Sequence, residues 1–322
     1  MESKFIISLD FELFWGVQDK ETLDGYGKNV QGVWVAVPQI LDVFEQYGIH
    51  ATWATVGFMF AENFEDVKKY FPDKENLPSY NRGELSCYNC FAGMAKKEEL
   101  MKYFYAPTLI KTIAQVKGQE IGSHSFSHYY CDEAGQTPEQ FRADMQAAIH
   151  IAKAKGYELK SFVFPRNQSK EDYVDVLREL GFSSYRAMAN NWIHHKVKKG
   201  ILRRALRLLD VYFPLTGANA YSLKEESGMC NFPGSNMLKP KSKKLFFIEW
   251  LKVFRIKRQM SKAAKNGKIY HLWWHPHNFG VETEYHIKQL KKILEHHSKL
   301  DKKYGMQSLN MQEAVGYFKN KV

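Results

Sequence analysis

The chain has only four cysteines in 322 residues, Cys87, Cys90, Cys131 and Cys230. That is too few for a disulfide scaffold and fits reduced thiols in a cytoplasmic protein. No apolar run approaches the ~20 residues needed to span a bilayer. The N-terminus, MESKFIISLD, lacks the basic region, apolar stretch and small-residue cleavage site of a secretory signal. There is no Pro/Ser/Gly linker and no internal repeat, so one domain over residues 1–322 is expected. What is present is core material: 44% of residues are apolar and 15% aromatic, enough for a sizeable buried interior.

The net charge is +11, and the excess is localised. Much of it lies in KVKKGILRRALRLL (196–209) and in 239–268, KPKSKKLFFIEWLKVFRIKRQMSKAAKNGK. In the first, Ile201, Leu202, Ala205, Leu208 and Leu209 fall at helical spacing, with Arg203, Arg204 and Arg207 off that face. Phe246, Phe247, Trp250, Leu251 and Phe254 repeat the pattern in the second. Basic amphipathic helices of this kind bind anionic surfaces, a membrane or a polyphosphate, or else pack their apolar face into the core as ordinary surface helices. Nucleic acid is an unlikely partner, because no recognised module accompanies the charge.

Strand-like runs occur at 4–11, 49–58, 119–124, 159–164, 182–188, 268–275 and 306–310, with helical patterns at 33–48, 106–118, 138–156, 171–181 and 282–298 and a closing helix. Alternation of this kind indicates βαβ units and a parallel sheet. Seven strands spread over the whole chain suit a closed or nearly closed barrel, with 67–107 and 190–266 as long excursions, functional or disordered.

Parallel barrels carry their working residues at the C-terminal ends of strands. Strand 4–11 runs into Asp10 and Glu12, which, two apart, point to one face. Strand 119–124 ends at His124, and if the turn after it is helical, His128 stacks alongside. Strand 159–164 leads into Pro165-Arg166-Asn167, and 268–275 into WWHPH, with His275 and His277. Two carboxylates in one cavity repel unless a cation lies between them. One carboxylate with two imidazoles forms an open site for a divalent metal, and a water there falls to a pKa of ~7 from ~15.7 on zinc. The spare carboxylate can take that proton, and His275, across the cavity, can protonate a leaving group. The implied reaction is metal-assisted hydrolysis of an amide or ester.

SLDFE, GSHSFSH, FVFPRNQ and HLWWHPH resemble, in that order, the motifs of the polysaccharide deacetylases, the carbohydrate esterases of NodB type. The resemblance runs from about residue 4 to about residue 310, and His124-Ser125-Phe126-Ser127-His128 is its most specific element. It implies an α/β fold, a distorted (β/α)7 TIM-like barrel. It also implies Asp10 as base, Glu12, His124 and His128 as ligands of a divalent ion, and His275 as acid. Zinc is the default ion, with other first-row divalent ions accepted. Two departures bear on these roles. The opening motif is Asp-x-Glu rather than adjacent aspartates, so Asp10 and Glu12 can exchange roles. The third motif has Val163 where the family commonly has arginine, and Arg166 where it has tyrosine. Arg166 is therefore assigned to steadying Asp10 or binding substrate, with the family's oxyanion-stabilising backbone N–H retained at that place.

Trp15, Pro165, Asn167, Trp274 and His277 complete the expected substrate-side residues. One of the adjacent Trp273 and Trp274 is expected in the core, and His277 doubles as a structural group. Cys87 and Cys90 have half of a zinc spacing and are read as buried or loop thiols. His194, His195, His296 and His297, among lysines, are read as solvated surface. The substrate expected is an acylated sugar, a glycan precursor on a nucleotide or lipid carrier, with the basic helices touching a pyrophosphate or the inner membrane face. An allantoinase-like cyclic-amide hydrolase, a non-catalytic glycan- or membrane-binding barrel and a nucleic-acid binder rank below it.

Overall fold

The computed structural model describes residues 2–188, 191–198, 200–226 and 228–320. Among the described residues ten strands share one sheet: β1 (Lys4–Phe11), β2 (Ala51–Thr55), β3 (Gln119–Ser123), β4 (Ser161–Val163), β5 (Ser184–Arg186), β6 (Lys224–Glu226), β7 (Met229–Asn231), β8 (Asn236–Met237), β9 (Ile269–Trp274) and β10 (Gln307–Leu309). β1 is buried along its whole length, as an apolar run in a parallel sheet covered on both faces must be. It pairs in parallel with β2 and β9, and β2, β3, β4 and β5 follow outward in parallel.

One bent segment, 229–238, ladders with β5 at its start (Ser184 opposite Cys230) and with β9 at its end (Asn236 opposite Leu272). The product is a curled parallel sheet wrapped by helices, the distorted (β/α)7 barrel anticipated from the strand pattern. The seventh staves differ, however. The run at 306–310 forms β10, which joins β1 only at its start (Lys4 opposite Gln307). The ring position belongs to 229–238, inside the stretch expected to be an excursion. Short apolar pieces interrupted by Pro233 and Gly234 hide a strand pair from any periodicity count.

Side-chain alternation sorts the residues. Phe5, Ile7, Leu9 and Phe11 of β1 join the large core under the helices, as do Tyr270, Leu272 and Trp274 of β9. The intervening residues face the barrel axis. Its lower end is filled by Ile6, Ile269 and Phe232 against Met311, Ala314 and Val315 of the closing helix, Met311–Lys319. Further up the axis the lining turns polar, with Ser8, Asp10, Arg186 and His271 all buried.

The 67–107 stretch is a chain of short helical turns packed through aromatic rings. Phe58 lies 4.9 Å from Phe91 and 4.7 Å from Phe126, centroid to centroid. Cys87 and Cys90 are buried free thiols in this layer; burial pushes both thiols up, as structural cysteines require. His297, expected on the surface, is buried against Phe5 and bonds the Met306 carbonyl at 2.7 Å. His296 is half-buried and bonds Ser261 at 2.8 Å. The side chains of His194 and His195 lie outside the described residues. No described helix is long and apolar enough to cross a membrane.

Candidate functional site

Glu12 continues the inward-facing series of β1 just past its end. Its Oε2 lies 3.3 Å from His124 Nε2 and 3.0 Å from His128 Nε2, and one ligand atom from each of the three lies within 4.8 Å of the others. Gly16 makes the space: a Cβ there would sit 2.0 Å from the Glu12 carboxyl carbon. Burial alone would raise the Glu12 pKa, but His275, His124 and His128 outweigh it and hold the carboxyl well below its usual range.

The turn carrying the histidines is not helical, contrary to the expectation from their spacing. Ser125 and His128 both have left-handed backbone (φ 62° and 56°), which costs a non-glycine residue free energy and persists only where the surroundings impose it. The imposing group is Asp144 on the helix Pro138–Ala154, which accepts from the Phe126 N–H (2.8 Å), the Ser127 N–H (3.1 Å) and the Ser127 hydroxyl (2.5 Å). The Ser125 and Phe126 carbonyls in turn accept from the Gly57 and Phe58 N–H groups, at 2.8 and 3.0 Å. Burial pushes Asp144 up to about 7 against these bonds. Asp144→Ala is expected to leave two buried N–H groups unpartnered, at about 1–3 kcal/mol each. A lowered melting temperature would show this; a wild-type-like melt would contradict it.

The ring tautomers follow from the outer bonds. His124 Nδ1 donates to the Val163 carbonyl at 2.7 Å, which fixes the ring with Nε2 turned toward Glu12. His128 Nδ1 lies 3.1 Å from the Tyr130 hydroxyl. Arg166 stacks on the Tyr130 ring at 4.0 Å and pairs with Asp19 at 2.5 Å.

That placement corrects one of the two roles expected of Arg166, the steadying of Asp10, which it does not reach. The guanidinium on Asp10 belongs to Arg186, the last residue of β5, with bonds of 2.6 and 2.7 Å to the two carboxylate oxygens. Arg186 is fully buried and its Nε bonds Asn167 Oδ1 at 3.3 Å. Asn167 thus holds the arginine, and the buried Pro165 opens the turn that presents Asn167. Burial works to raise the Asp10 pKa, but Arg186, then His275 and His124, hold it below the ordinary value. The sequence carried a partial signal: an arginine inside a run read as a strand, 182–188, needs a carboxylate partner once it is buried.

Below Asp10 the network continues from Arg186 Nη1 to Ser8 Oγ (2.8 Å), and from there to His271 Nε2 (2.8 Å). His271 Nδ1 faces the Phe232 carbonyl at 2.9 Å, so Nδ1 carries the proton and Nε2 accepts from the serine. Burial, then Arg186, push this imidazole down to about 3. A depressed histidine contributes stability that is full above its unfolded pKa of 6.5 and declines as pH falls toward 3. The urea midpoint is expected to drop across that window, and the drop to flatten in His271→Gln; an unchanged slope would count against a neutral His271.

Opposite the ligands, His275 Nε2 stands 3.6 Å from both Asp10 Oδ2 and Glu12 Oε1. Its ring stacks on His277 at 5.0 Å and 7°. His277 is buried, and burial, then His275, push it down to about 4, so it is neutral at pH 7. Two expected substrate residues fall elsewhere. Trp274 is fully buried between Phe44 and Phe279; it alternates with His275, so it faces the helices, and Trp273 is the indole beside His275 (5.7 Å) and under Arg186 (4.3 Å). Trp15 is likewise sealed among Phe58, Phe91 and Phe104, its Nε1 bonding the Phe104 carbonyl at 2.7 Å.

Residues 31–185 match the polysaccharide deacetylase family model, the family whose motifs the chain resembles. The match contains His124 and His128, while Asp10, Glu12, Arg186 and His275 come to the site from outside it. Among solved structures, a Mycobacterium smegmatis protein assigned to the polysaccharide deacetylases is similar at 12% identity, covering 99% of this chain and 91% of that one, with a TM-score of 0.64. The Puue allantoinase follows at 11% identity, with 97% and 88% covered and a TM-score of 0.54. A 4-alpha-glucanotransferase from Thermococcus litoralis is similar at 12% identity, over 98% of this chain and 40% of that one, with a TM-score of 0.55. At such identities these structures speak to the fold. No curated protein matches the chain in sequence.

Proposed function

We propose that the chain is a metal-dependent hydrolase that removes an acyl group, N-acetyl first, from a sugar of a glycan or glycan precursor. The observation that carries this is the convergence of Glu12, His124 and His128 on one point, with Asp10 and His275 beside it. The donor set fits a divalent ion: one carboxylate and two imidazoles, the His124 ring turned nitrogen-inward by a carbonyl behind it. Bound there, zinc or another first-row ion supplies Lewis acidity for the acyl carbonyl and for a water.

The chain's own residues supply the proton traffic. Asp10, kept ionised by Arg186, accepts a proton from the attacking water as general base. His275 stands on the open side of the cavity, its side chain 21% exposed, and donates a proton to the departing sugar nitrogen. Trp273, packed on Arg186 and beside His275, offers its face to the sugar ring. His277 backs the His275 ring and holds its plane. Four free, buried thiols favour a cytoplasmic setting, where the substrate is a precursor on a nucleotide or lipid carrier.

The test is metal content by plasma mass spectrometry on protein purified without chelator or nickel, followed by acetate release from N-acetylated sugar oligomers. About one equivalent of metal and acetate release are expected. Metal without acetate release, but with opening of cyclic ureides, would replace this reading with the allantoinase-like one. Absence of metal after reconstitution with zinc, cobalt or manganese would replace it with a metal-free cyclic-amide hydrolase or a non-catalytic barrel.

A further inference from the structure

Residues 196–268 hold 18 Lys and Arg against four Asp and Glu, a net charge of +14, so the rest of the chain nets −3. Amphipathic surface helices ordinarily turn their apolar face inward. The helix Ile201–Tyr212 does the reverse: Ile201 is 86% exposed, Leu202 66%, Leu208 54% and Leu209 49%. Phe246, Phe247, Trp250 and Phe254, at and beyond the turn Phe246–Ile248, are 53–70% exposed. The two stretches adjoin, because Phe213 and Phe254 line one groove of about 610 Å³ with Arg258, Lys262 and Lys265.

Cations surround these side chains. A cavity of about 460 Å³ is walled by Arg204, Arg207, Lys239, Lys241 and Lys252. Lys241 pairs with Glu282 and Lys252 with Glu249, but among the described residues no carboxylate pairs with Arg204, Arg207 or Lys239. Burial, then Arg207 and Lys252, push the Lys239 ammonium down to about 8, the mark of a cation lacking an anion. Arg207 and Lys239 also border a smaller cavity whose far wall is Trp273, the indole beside His275.

A solvent-facing apolar patch of this size marks an interaction surface, and its charge selects the partner. A second copy would bring one strongly cationic face against another. A nucleic acid has phosphates for the cations but nothing for Ile201, Leu202, Leu208 and Leu209. A bilayer containing anionic lipid takes both, acyl chains receiving the apolar residues and phosphates the basic ones. We propose that the face formed by 201–215 and 246–254 docks on an anionic membrane surface, with Arg204, Arg207 and Lys239 on lipid phosphates. Docking stands on this face alone. Its use rests on the hydrolase reading, because it sets the Trp273 side of the catalytic rim at the level of headgroups, where a lipid-carried glycan presents its sugars.

The experiment is cosedimentation of the full chain with phosphatidylcholine vesicles, with and without about a third phosphatidylglycerol. Binding to the anionic vesicles is expected, at least about tenfold weaker without phosphatidylglycerol and falling as salt rises. Phe246→Ser/Trp250→Ser/Phe254→Ser and, separately, Arg204→Glu/Arg207→Glu are each expected to lower binding about tenfold. All five positions are solvent-facing, so the melting temperature should hold. No binding, binding indifferent to lipid charge, or binding equal in parent and variants would overturn the proposal. So would concentration-dependent dimerisation that replaces vesicle binding. A parent chain that binds the anionic vesicles but releases no acetate would overturn the hydrolase and leave the docking face standing, and Asp10→Asn should bind vesicles as the parent does.

Discussion

Arg186→Met is expected to lower kcat/KM by about 10²–10⁴, the range associated with loss of a positioned general base, although Arg186 need touch no substrate. Its two bonds to Asp10 are the charge compensation for a buried carboxylate. Without them burial dominates and the Asp10 pKa rises, so the base is increasingly protonated at neutral pH. The acid limb of the pH–rate profile should therefore move to higher pH, with part of the activity recovered in alkaline buffer. Stability should fall by about 3–5 kcal/mol, as when one partner of a buried pair is removed. Arg186→Lys should restore charge and some stability but not the two-pronged geometry, and sit between the two. An Arg186→Met enzyme with a parental pH profile would show that Asp10 does not depend on this arginine.

Replacing both His124 and His128 with alanine is expected to reduce bound metal from about one equivalent to below about a tenth, and to abolish hydrolysis. Companion variants separate the two acids. With the roles assigned here, Glu12→Gln loses the ion, whereas Asp10→Asn keeps it and loses activity. The opposite pattern would mean that base and ligand are exchanged. The geometry supports the first outcome, because Glu12 lies 3.0 and 3.3 Å from the two imidazoles while Asp10 spends both oxygens on Arg186. If the double variant retained the parent's metal, the ion would be bound elsewhere and the hydrolytic reading would lose its basis.

Much of the site could be read from strand ends alone. Asp10, Glu12, His124, His128 and His275 were picked out because each follows a β-run, and they meet. Trp274, expected at the substrate, faces the helices and Trp273 lies beside His275, a separation that alternation along the strand already implies. Arg166 stands out in the sequence because it lies within a motif, whereas Arg186 lies in a strand with no motif at all. The turn at 124–128 was expected to be helical because its spacing allows it; Asp144, nearly twenty residues on, forces it otherwise.

By itself the sequence determined the alternating α/β order, the parallel buried strands and the inward parity of each functional residue, since these follow from local periodicity and burial. Only the tertiary structure decided which residues from distant strands share a wall: Arg186 opposite Asp10, the segment 229–238 in the ring, and the apolar face of 201–212 turned to solvent. Each depends on the register and packing of elements far apart in the chain, and no local pattern encodes how two such elements align.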